Sequence, residues 1–169
     1  MSPASGPSQH FTWREFSCHD KFNTTYPLDW RTDPTRAPAL ADALEAIRAE
    51  GCLEVARITG GAVTNCPLEA GEVFRTRAQQ QSYIDYDEAR KAQGLEPIYK
   101  AAKHSQHCEG RAADPRCPRL LTFAEFKDCV KRAAARPGSR IRYIEYRPRH
   151  NYIHVDVRPA QKLVEETIS

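Results

Sequence analysis

The chain has 169 residues, of which 40% are hydrophobic and 28% charged, and its formal net charge at pH 7 is +3. Such values are typical of one globular domain and exclude a largely disordered chain, a collagen and a coiled coil. The net charge is small and the basic residues are scattered along the chain. Both observations argue against a nucleic-acid-binding protein. No apolar stretch has the length that a membrane span needs, and we therefore expect no such span.

The N-terminus differs in composition from the rest of the chain. Residues 1–10 are rich in Pro, Ser and Gly, which predicts a mobile tail followed by a single domain over residues 11–169. This start lacks the basic residues and the apolar segment of a secretory signal peptide. We therefore expect the protein to be cytoplasmic as made. We also expect it to be a monomer.

Apolar spacing and turn residues in the first half of the chain predict two helices and two strands. The spacing of apolar residues from Leu40 to Ile47 predicts an amphipathic helix, which Gly51 would end as a C-cap. Alternation then predicts a strand, and Thr12 with Glu15 has the spacing of a capping box. In chain order, the predicted elements are a short helix from Thr12, a surface loop over 17–38, a helix over Ala39–Glu50, a strand over Leu53–Ile58 and a short strand over Glu72–Thr76.

The second half is predicted to hold three helices and a pair of antiparallel strands. The clearest helix has a capping box, Thr122 with Glu125, and stops at Pro137. The two strands alternate in hydrophobicity and are joined by a turn over 147–151. The predicted elements are helices over Ala78–Gln93, Pro97–Lys103 and Thr122–Ala135, and strands over Arg140–Tyr146 and Tyr152–Val157. Together they indicate an α+β domain, with helices packed on a small, mostly antiparallel sheet.

The chain has six cysteines but no Cys-x-x-Cys pair, which argues against a zinc ribbon or a thioredoxin-like site. We expect reduced thiols in a cytosolic product. Pairing among the cysteines from Cys66 to Cys117 stays open for a protein that is released into an oxidising space.

Two short segments, Ser105–Arg116 and Asn151–Arg158, carry most of the side chains that can do chemistry. His107, Asp114 and His154 are of the residue types that hold catalytic zinc, which commonly has three protein ligands and a water molecule. These segments therefore predict a metal site built from two distant parts of the chain.

Asp156 is predicted to support His154 in this site. On a strand Asp156 lies on the same face as His154, where it would orient the imidazole. The alternative without metal stays open: His107 caps a loop, Asp114 caps a turn, and His154 pairs with Asp156 within the sheet.

The spacing of these residues resembles the signature of the zinc D-Ala-D-Ala carboxypeptidase family. The stretch from Tyr152 to Asp156 is similar to the family's closing strand, in which His is followed by Val and Asp. The family's S-x-H-x-x-G-x-A-x-D pattern is matched by Ser105, His107, Gly110, Ala112 and Asp114. Supporting similarities lie in residues 11–18, residues 26–28, the helix from Leu40 to Ile47 and the turn at Phe74–Thr76.

This resemblance implies the hedgehog/DD-peptidase fold, an α+β domain, with zinc bound by His107, Asp114 and His154. It implies peptidoglycan peptides as substrates, hydrolysed by a D-Ala-D-Ala carboxypeptidase or by a wall endopeptidase such as a phage endolysin. An endolysin needs no signal peptide, since it acts on the cell wall after release from the cell that made it. Zinc in such a site activates a water molecule for attack on the peptide carbonyl.

Hydrolysis also needs a general base, which takes the proton of water and returns it to the leaving amine. Members of the family often carry an acidic residue or His just before the last ligand, where this chain has Asn151 and Tyr152. The base therefore stays unassigned among Asp156, Glu145 and His150.

The resemblance also suggests how the substrate is held. An arginine suits its carboxylate because the guanidinium fork binds in bidentate fashion, and Arg75 is the candidate, with Ser105 and Tyr152 as further substrate-binding residues. The polar stretch over Gln79–Lys103 is longer than is usual in the family and predicts a lid or a specificity wall.

A group of arginines is expected at a solvated sheet edge: Arg140, Arg142, Arg147, Arg149 and Arg158.

The missing base leaves a second functional hypothesis open. In it the chain keeps zinc and the same fold but is catalytically weak or inactive, and serves as a wall-binding or phage structural module. The two hypotheses differ in hydrolysis and not in metal content.

Overall fold

The computed structural model describes residues 6–17, 35–159 and 162–168. Within these residues it has three α-helices and a four-stranded sheet, so the predicted mixture of helix and strand is confirmed. The helices are α1 (Ala37–Ile58), α2 (Arg77–Ala92) and α3 (Phe123–Ala135), with short 3-10 turns at Gln106–Glu109 and Pro148–His150. The strands are β1 (Ala112–Ala113), β2 (Tyr143–Arg147), β3 (Tyr152–Asp156) and β4 (Val164–Thr167).

The sheet has the order β1-β3-β2-β4 and is mixed. Strand β3 pairs antiparallel with both neighbours, β1 and β2, as the prediction of an antiparallel pair requires. Strand β4 lies parallel to β2, a pairing that the sequence did not indicate. All four residues of β4 are exposed, so the strand lacks the alternation of buried and exposed side chains that reveals a half-buried strand.

The prediction that α1 ends at Gly51 and gives way to a strand is wrong, because Leu53–Ile58 forms the last turns of α1. Val55 is fully buried and continues the buried stripe that Leu44 and Ile47 begin. Gly51 permits a close approach: a Cβ added there would lie 3.1 Å from the Sγ atom of Cys66.

Three other local predictions differ from the structure. The Thr12–Glu15 capping box forms, with the Thr12 N–H donating to Glu15 Oε2 at 2.8 Å, but it closes a turn and not a helix. Residues 72–76 make isolated backbone hydrogen bonds to the loop that carries His107 and Asp114, and form no strand. Residues 97–103 form no helix. The Asp87 carboxylate instead accepts hydrogen bonds from the backbone N–H groups of residues 98, 99 and 101.

Some predictions fall on residues that the structure does not describe. Most of the loop predicted over 17–38 falls on residues 18–34, which the structure does not describe. The predicted end of this loop is too late, because α1 begins at Ala37. Residues 1–5 of the predicted tail and the similarity at 26–28 also lie outside the described residues. Of the tail residues that are described, Ser8 donates a hydrogen bond to Glu45 on α1 at 2.7 Å.

The core lies between α1, α3 and the sheet. Buried side chains on α3 recur at Phe126, Cys129, Val130 and Ala133, the spacing of one helix face. The core also takes residues from α1 and from β2 and β3, including Leu40, Leu44, Ile47, Ile144, Ile153 and Val155. Among the described residues, no helix combines the length and the apolar character that crossing a bilayer requires. The five described cysteines are free thiols.

The capping box at the start of α3 gives a direct test of the fold. The Thr122 side chain accepts from the Glu125 N–H, and the Thr122 N–H donates to Glu125 Oε2 at 2.8 Å. We expect Thr122→Ala to lower the free energy of unfolding by about 1 kcal/mol, since one backbone N–H loses its acceptor. Urea unfolding measures the change, and Thr122→Ser, which keeps the hydroxyl, is the matched control. Equal stability of the alanine and serine variants would contradict this role.

Candidate metal site

Three polar side chains meet where the sheet and the 3-10 turn before β1 come together. His107 lies in that turn, and Gly110, with a φ of 62°, directs the chain from it into β1. Antiparallel pairing sets Ala112 opposite Asp156 and Ala113 opposite Val155. Continued by one residue, this register places Asp114 opposite His154 on β3. The two predicted segments are therefore brought together as the metal hypothesis requires.

One atom from each side chain faces the other two at short range. His107 Nε2 lies 3.2 Å from His154 Nδ1 and 3.2 Å from Asp114 Oδ1, and His154 Nδ1 lies 2.8 Å from the same oxygen. Ligand atoms of a tetrahedral zinc ion, each about 2.0–2.1 Å from the metal, are about 3.3 Å apart. Two sides of the triangle match an edge of a zinc tetrahedron and the third, at 2.8 Å, is shorter, so these residues could hold a metal ion after a small outward shift of His154 or Asp114.

Neighbouring oxygen atoms orient both histidines of the cluster. His107 Nδ1 lies 3.0 Å from the Val73 carbonyl oxygen, which can only accept, so Nδ1 carries the proton and Nε2 is available as a ligand. His154 directs Nδ1 to Asp114, and its Nε2 lies 3.7 Å from Asp156 Oδ2. Asp156 is fully buried and is held by the guanidinium and the backbone N–H of Arg158. Its place behind His154 suits a residue that orients the imidazole.

Charges within the cluster favour a proton on His154 when no metal is bound. Burial lowers the pKa of His154, but the hydrogen bond to Asp114 and the nearby carboxylate of Asp156 outweigh burial and raise the pKa to about 9. Burial raises the pKa of Asp114, yet the two histidines hold it well below its usual value. A metal ion would displace the proton on His154, so we expect metal affinity to rise with pH.

The cluster opens into a cavity of about 180 Å³. Glu145 lies directly opposite His154 in the β2–β3 register, and so its side chain is on the same sheet face. Its Oε1 is bound by Arg147, and its Oε2 lies 3.0 Å from the Tyr143 hydroxyl, which lies closer, at 2.8 Å, to Glu166 Oε2. The carboxylate is therefore held in the cavity wall.

Only some of the other predicted site residues line the cavity that contains the cluster. Arg75, Ser105 and Tyr152 line the same cavity as the three candidate ligands. His150 is exposed and lines a neighbouring cavity, together with Asp114, but not the cavity that holds both histidines.

Arg75 is placed in the wall with its charge already engaged. Its guanidinium is paired with Glu72, donates to Gln80 and lies 4.8 Å from the centre of the Tyr83 ring. Only 12% of its side chain is exposed. A substrate carboxylate would therefore compete with Glu72 for this arginine.

Two arginines expected at a solvated edge are instead part of the site. Arg147 lines the cavity, where it is paired with Glu145, and its side chain is 13% exposed. Arg158 also lines the cavity, with its guanidinium 4.0 Å from the centre of the Tyr143 ring. The alternation of β2 and β3 could have indicated which arginines share a face with His154, had the register been known.

A segment that follows α2, here called the strap (residues 95–104), forms another part of the wall. It contributes Tyr99, Lys100 and His104, among others, to the cavity lining. The strap is tied to α2: Asp87 accepts from the backbone N–H groups of residues 98, 99 and 101 at 2.9–3.0 Å. Tyr99 also stacks on Tyr83, with ring centres 4.2 Å apart. The stretch predicted as a lid or specificity wall thus reaches the site through the strap.

Asp87 makes this attachment dependent on pH. Burial raises its pKa, but the backbone N–H donors more than compensate and lower it from the usual 3.8. Its contribution to stability is therefore present above pH 3.8 and is lost as pH falls through the lower pKa of the folded state. We expect Asp87→Asn to cost about 1–2 kcal/mol at pH 7, and less below pH about 4. Urea unfolding of both proteins from pH 7 to pH 3 measures the difference, and a constant difference would contradict this role.

Comparisons of the chain with protein-family models, with curated proteins and with solved structures found no match.

Proposed function

We propose that this chain is a zinc-dependent hydrolase of peptidoglycan peptides with the hedgehog/DD-peptidase fold. The observation that carries the proposal is the convergence of His107 Nε2, Asp114 Oδ1 and His154 Nδ1 on one point at the edge of a cavity. The substrate class rests on the resemblance of the Ser105–Asp114 and Tyr152–Asp156 segments to the zinc D-Ala-D-Ala carboxypeptidases.

The donor set is the chemical argument for zinc. Two imidazole nitrogens and one carboxylate oxygen are typical protein ligands of catalytic zinc, which leaves a fourth position for water or substrate. Bound there, zinc would activate a water molecule and polarise the scissile carbonyl. The Val73 carbonyl and Asp156 would keep the two imidazoles in the required orientation.

Glu145 is the general base in this proposal. It shares a sheet face with His154 and lines the cavity, and its carboxylate is oriented by Arg147. Its task would be to take a proton from water and to return it to the leaving amine. Asp156 is less suited, because it is buried and held by Arg158. His150 is less suited, because it does not line the cavity that holds both histidines.

Basic groups in the cavity would position the substrate. Arg75, Arg147 and Arg158 supply positive charge beside the cluster, and Ser105 and Tyr152 add polar atoms. Each arginine already has an acidic partner in Glu72, Glu145 or Asp156. These acidic partners would offset much of the positive charge in the cavity. The arginines would still orient a carboxylate or a carbonyl of the substrate.

The release of new amino groups from purified peptidoglycan tests the proposal. We expect release by the zinc-loaded chain, its loss with a chelator, and its recovery when zinc is restored. Zinc binding without release from several wall types would contradict the hydrolase and favour the zinc-containing wall-binding or structural module. Release that continues unchanged in the chelator would contradict the role of the metal.

A further inference from the structure

The wall of the cavity that holds the cluster contains several basic side chains, most of which already have a partner. Three arginines of the wall each form an ion pair with a carboxylate: Arg75 with Glu72, Arg147 with Glu145 and Arg158 with Asp156. Lys100 lines the same cavity, is exposed and forms no ion pair with another described residue. His104 also lines it, but an imidazole is not a permanent cation at neutral pH. A ligand can therefore pair with Lys100 without displacing a carboxylate of the described chain.

The backbone at Lys100 has a conformation that lysine rarely adopts. Its φ is 50°, in the left-handed region, and among the described residues other than glycine only Asn151 also has a positive φ. Asparagine tolerates this region better, because its short polar side chain can hydrogen-bond locally. The bend is held on both sides, since the N–H groups of Tyr99 and Ala101 each donate to the Asp87 carboxylate at 3.0 Å. A glycine would suit this backbone better, so local preference does not explain a lysine here.

The bend places Lys100 in the walls of two cavities. It lines the cavity of about 180 Å³ that contains the cluster and a neighbouring one of about 430 Å³. The residue before it is anchored, because the Tyr99 ring stacks on Tyr83 with ring centres 4.2 Å apart. The backbone is thus fixed, while the ammonium lies at the end of a flexible four-carbon stem. Because the first cavity is small, a ligand held at the cluster lies close to this wall.

We propose that Lys100 binds a free carboxylate of the substrate peptide when the scissile carbonyl lies at the cluster. The inference rests on the proposed hydrolase function and adds a specificity-determining residue to it. It divides the work of the wall: Arg75 stays paired with Glu72, and the Lys100 ammonium takes the carboxylate. A substrate with an amide in that place would lose the charge-assisted contact and bind more weakly.

Kinetics with a matched pair of peptides test this role. One is an acidic stem peptide with free carboxylates, and in the other every carboxylate is converted to an amide. For the zinc-loaded chain we expect Lys100→Gln to raise the KM of the free acid about five- to tenfold, with kcat within about threefold of the wild type. The KM of the amide should not change. An equal rise in KM for both peptides would overturn the inference.

Lys103→Gln is the matched control for these kinetics. Lys103 is an exposed lysine of the same strap that does not line the cavity with the cluster. Its replacement should change the KM of either peptide by less than about twofold. If Lys103→Gln and Lys100→Gln have equal effects on the free acid, the inference is overturned, whereas hydrolysis by both variants would still support the proposed hydrolase.

Binding in the presence of a chelator tests Lys100 without turnover. We expect Lys100→Gln and Lys100→Gly to bind the fluorescently labelled free acid about five- to tenfold more weakly than the wild type, and the difference to shrink at high salt. Glycine suits the positive φ, so the midpoint of urea unfolding should not fall in Lys100→Gly. Wild-type affinity in both variants would overturn the inference. Lysine-dependent binding by a chain that hydrolyses nothing would refute the proposed hydrolase but support the carboxylate contact.

Discussion

Replacing His107 with alanine is expected to remove zinc and hydrolysis together. His107 is 3% exposed and its Nε2 is one corner of the ligand triangle, with its orientation set by the Val73 carbonyl. Two remaining ligands, Asp114 and His154, would leave the metal a weak and open site. Atomic absorption should find far less than one zinc per chain after dialysis, and release of amino groups from peptidoglycan should fall to background.

His150→Ala is the matched control for metal content. His150 is exposed and lies outside the cluster, so this variant should keep its zinc. Circular dichroism must show that His107→Ala is folded, because the substitution also removes a buried side chain. A folded His107→Ala protein that keeps zinc and full hydrolysis would refute the metal assignment.

Replacing Glu145 with glutamine is expected to separate metal binding from catalysis. The amide keeps the shape of the side chain but cannot take a proton, so the rate should fall by about 10²–10⁴-fold. Glu145 is not one of the three candidate ligands, and zinc content should stay that of the wild type. Rates on peptidoglycan and zinc analysis of the same preparation measure the two effects.

Asp156→Asn provides a contrast on the other side of His154. Asp156 faces the second nitrogen of that imidazole, and its loss should weaken zinc binding by about 10–100-fold. Activity at saturating zinc should then recover in Asp156→Asn but not in Glu145→Gln. Undiminished hydrolysis by Glu145→Gln would show that another group is the base.

Local patterns predicted the fold best where one element carries its own signal. Strands β2 and β3 and helix α3 follow from alternation and from the Thr122–Glu125 capping box. The end of α1 could not be predicted in this way, because Gly51 is explained by its contact with Cys66, a tertiary neighbour. The conformation of the strap likewise depends on Asp87. This residue lies 11–14 positions earlier in the chain and accepts hydrogen bonds from the backbone N–H groups of the strap.

The candidate site was predictable to the extent that residue types and spacing mark it. His107, Asp114 and His154 stand in a recognisable pattern, and the structure brings them together. Glu145 could not be chosen over the other candidate bases, because its place depends on the register between β2 and β3. The low exposure of Arg147 could not be predicted either, because it depends on the cavity wall in which both it and its strand neighbour Glu145 lie.

X-ray absorption spectroscopy of the zinc-loaded chain tests the central claim most directly. The cysteines offer sulfur as the competing ligand, and zinc–sulfur bonds, at about 2.3 Å, are distinguishable from zinc–nitrogen bonds. We predict two imidazole ligands with nitrogen and oxygen at about 2.0–2.1 Å and no sulfur. A shell of sulfur at about 2.3 Å, or a spectrum without imidazole scattering, would contradict the assignment of His107, Asp114 and His154.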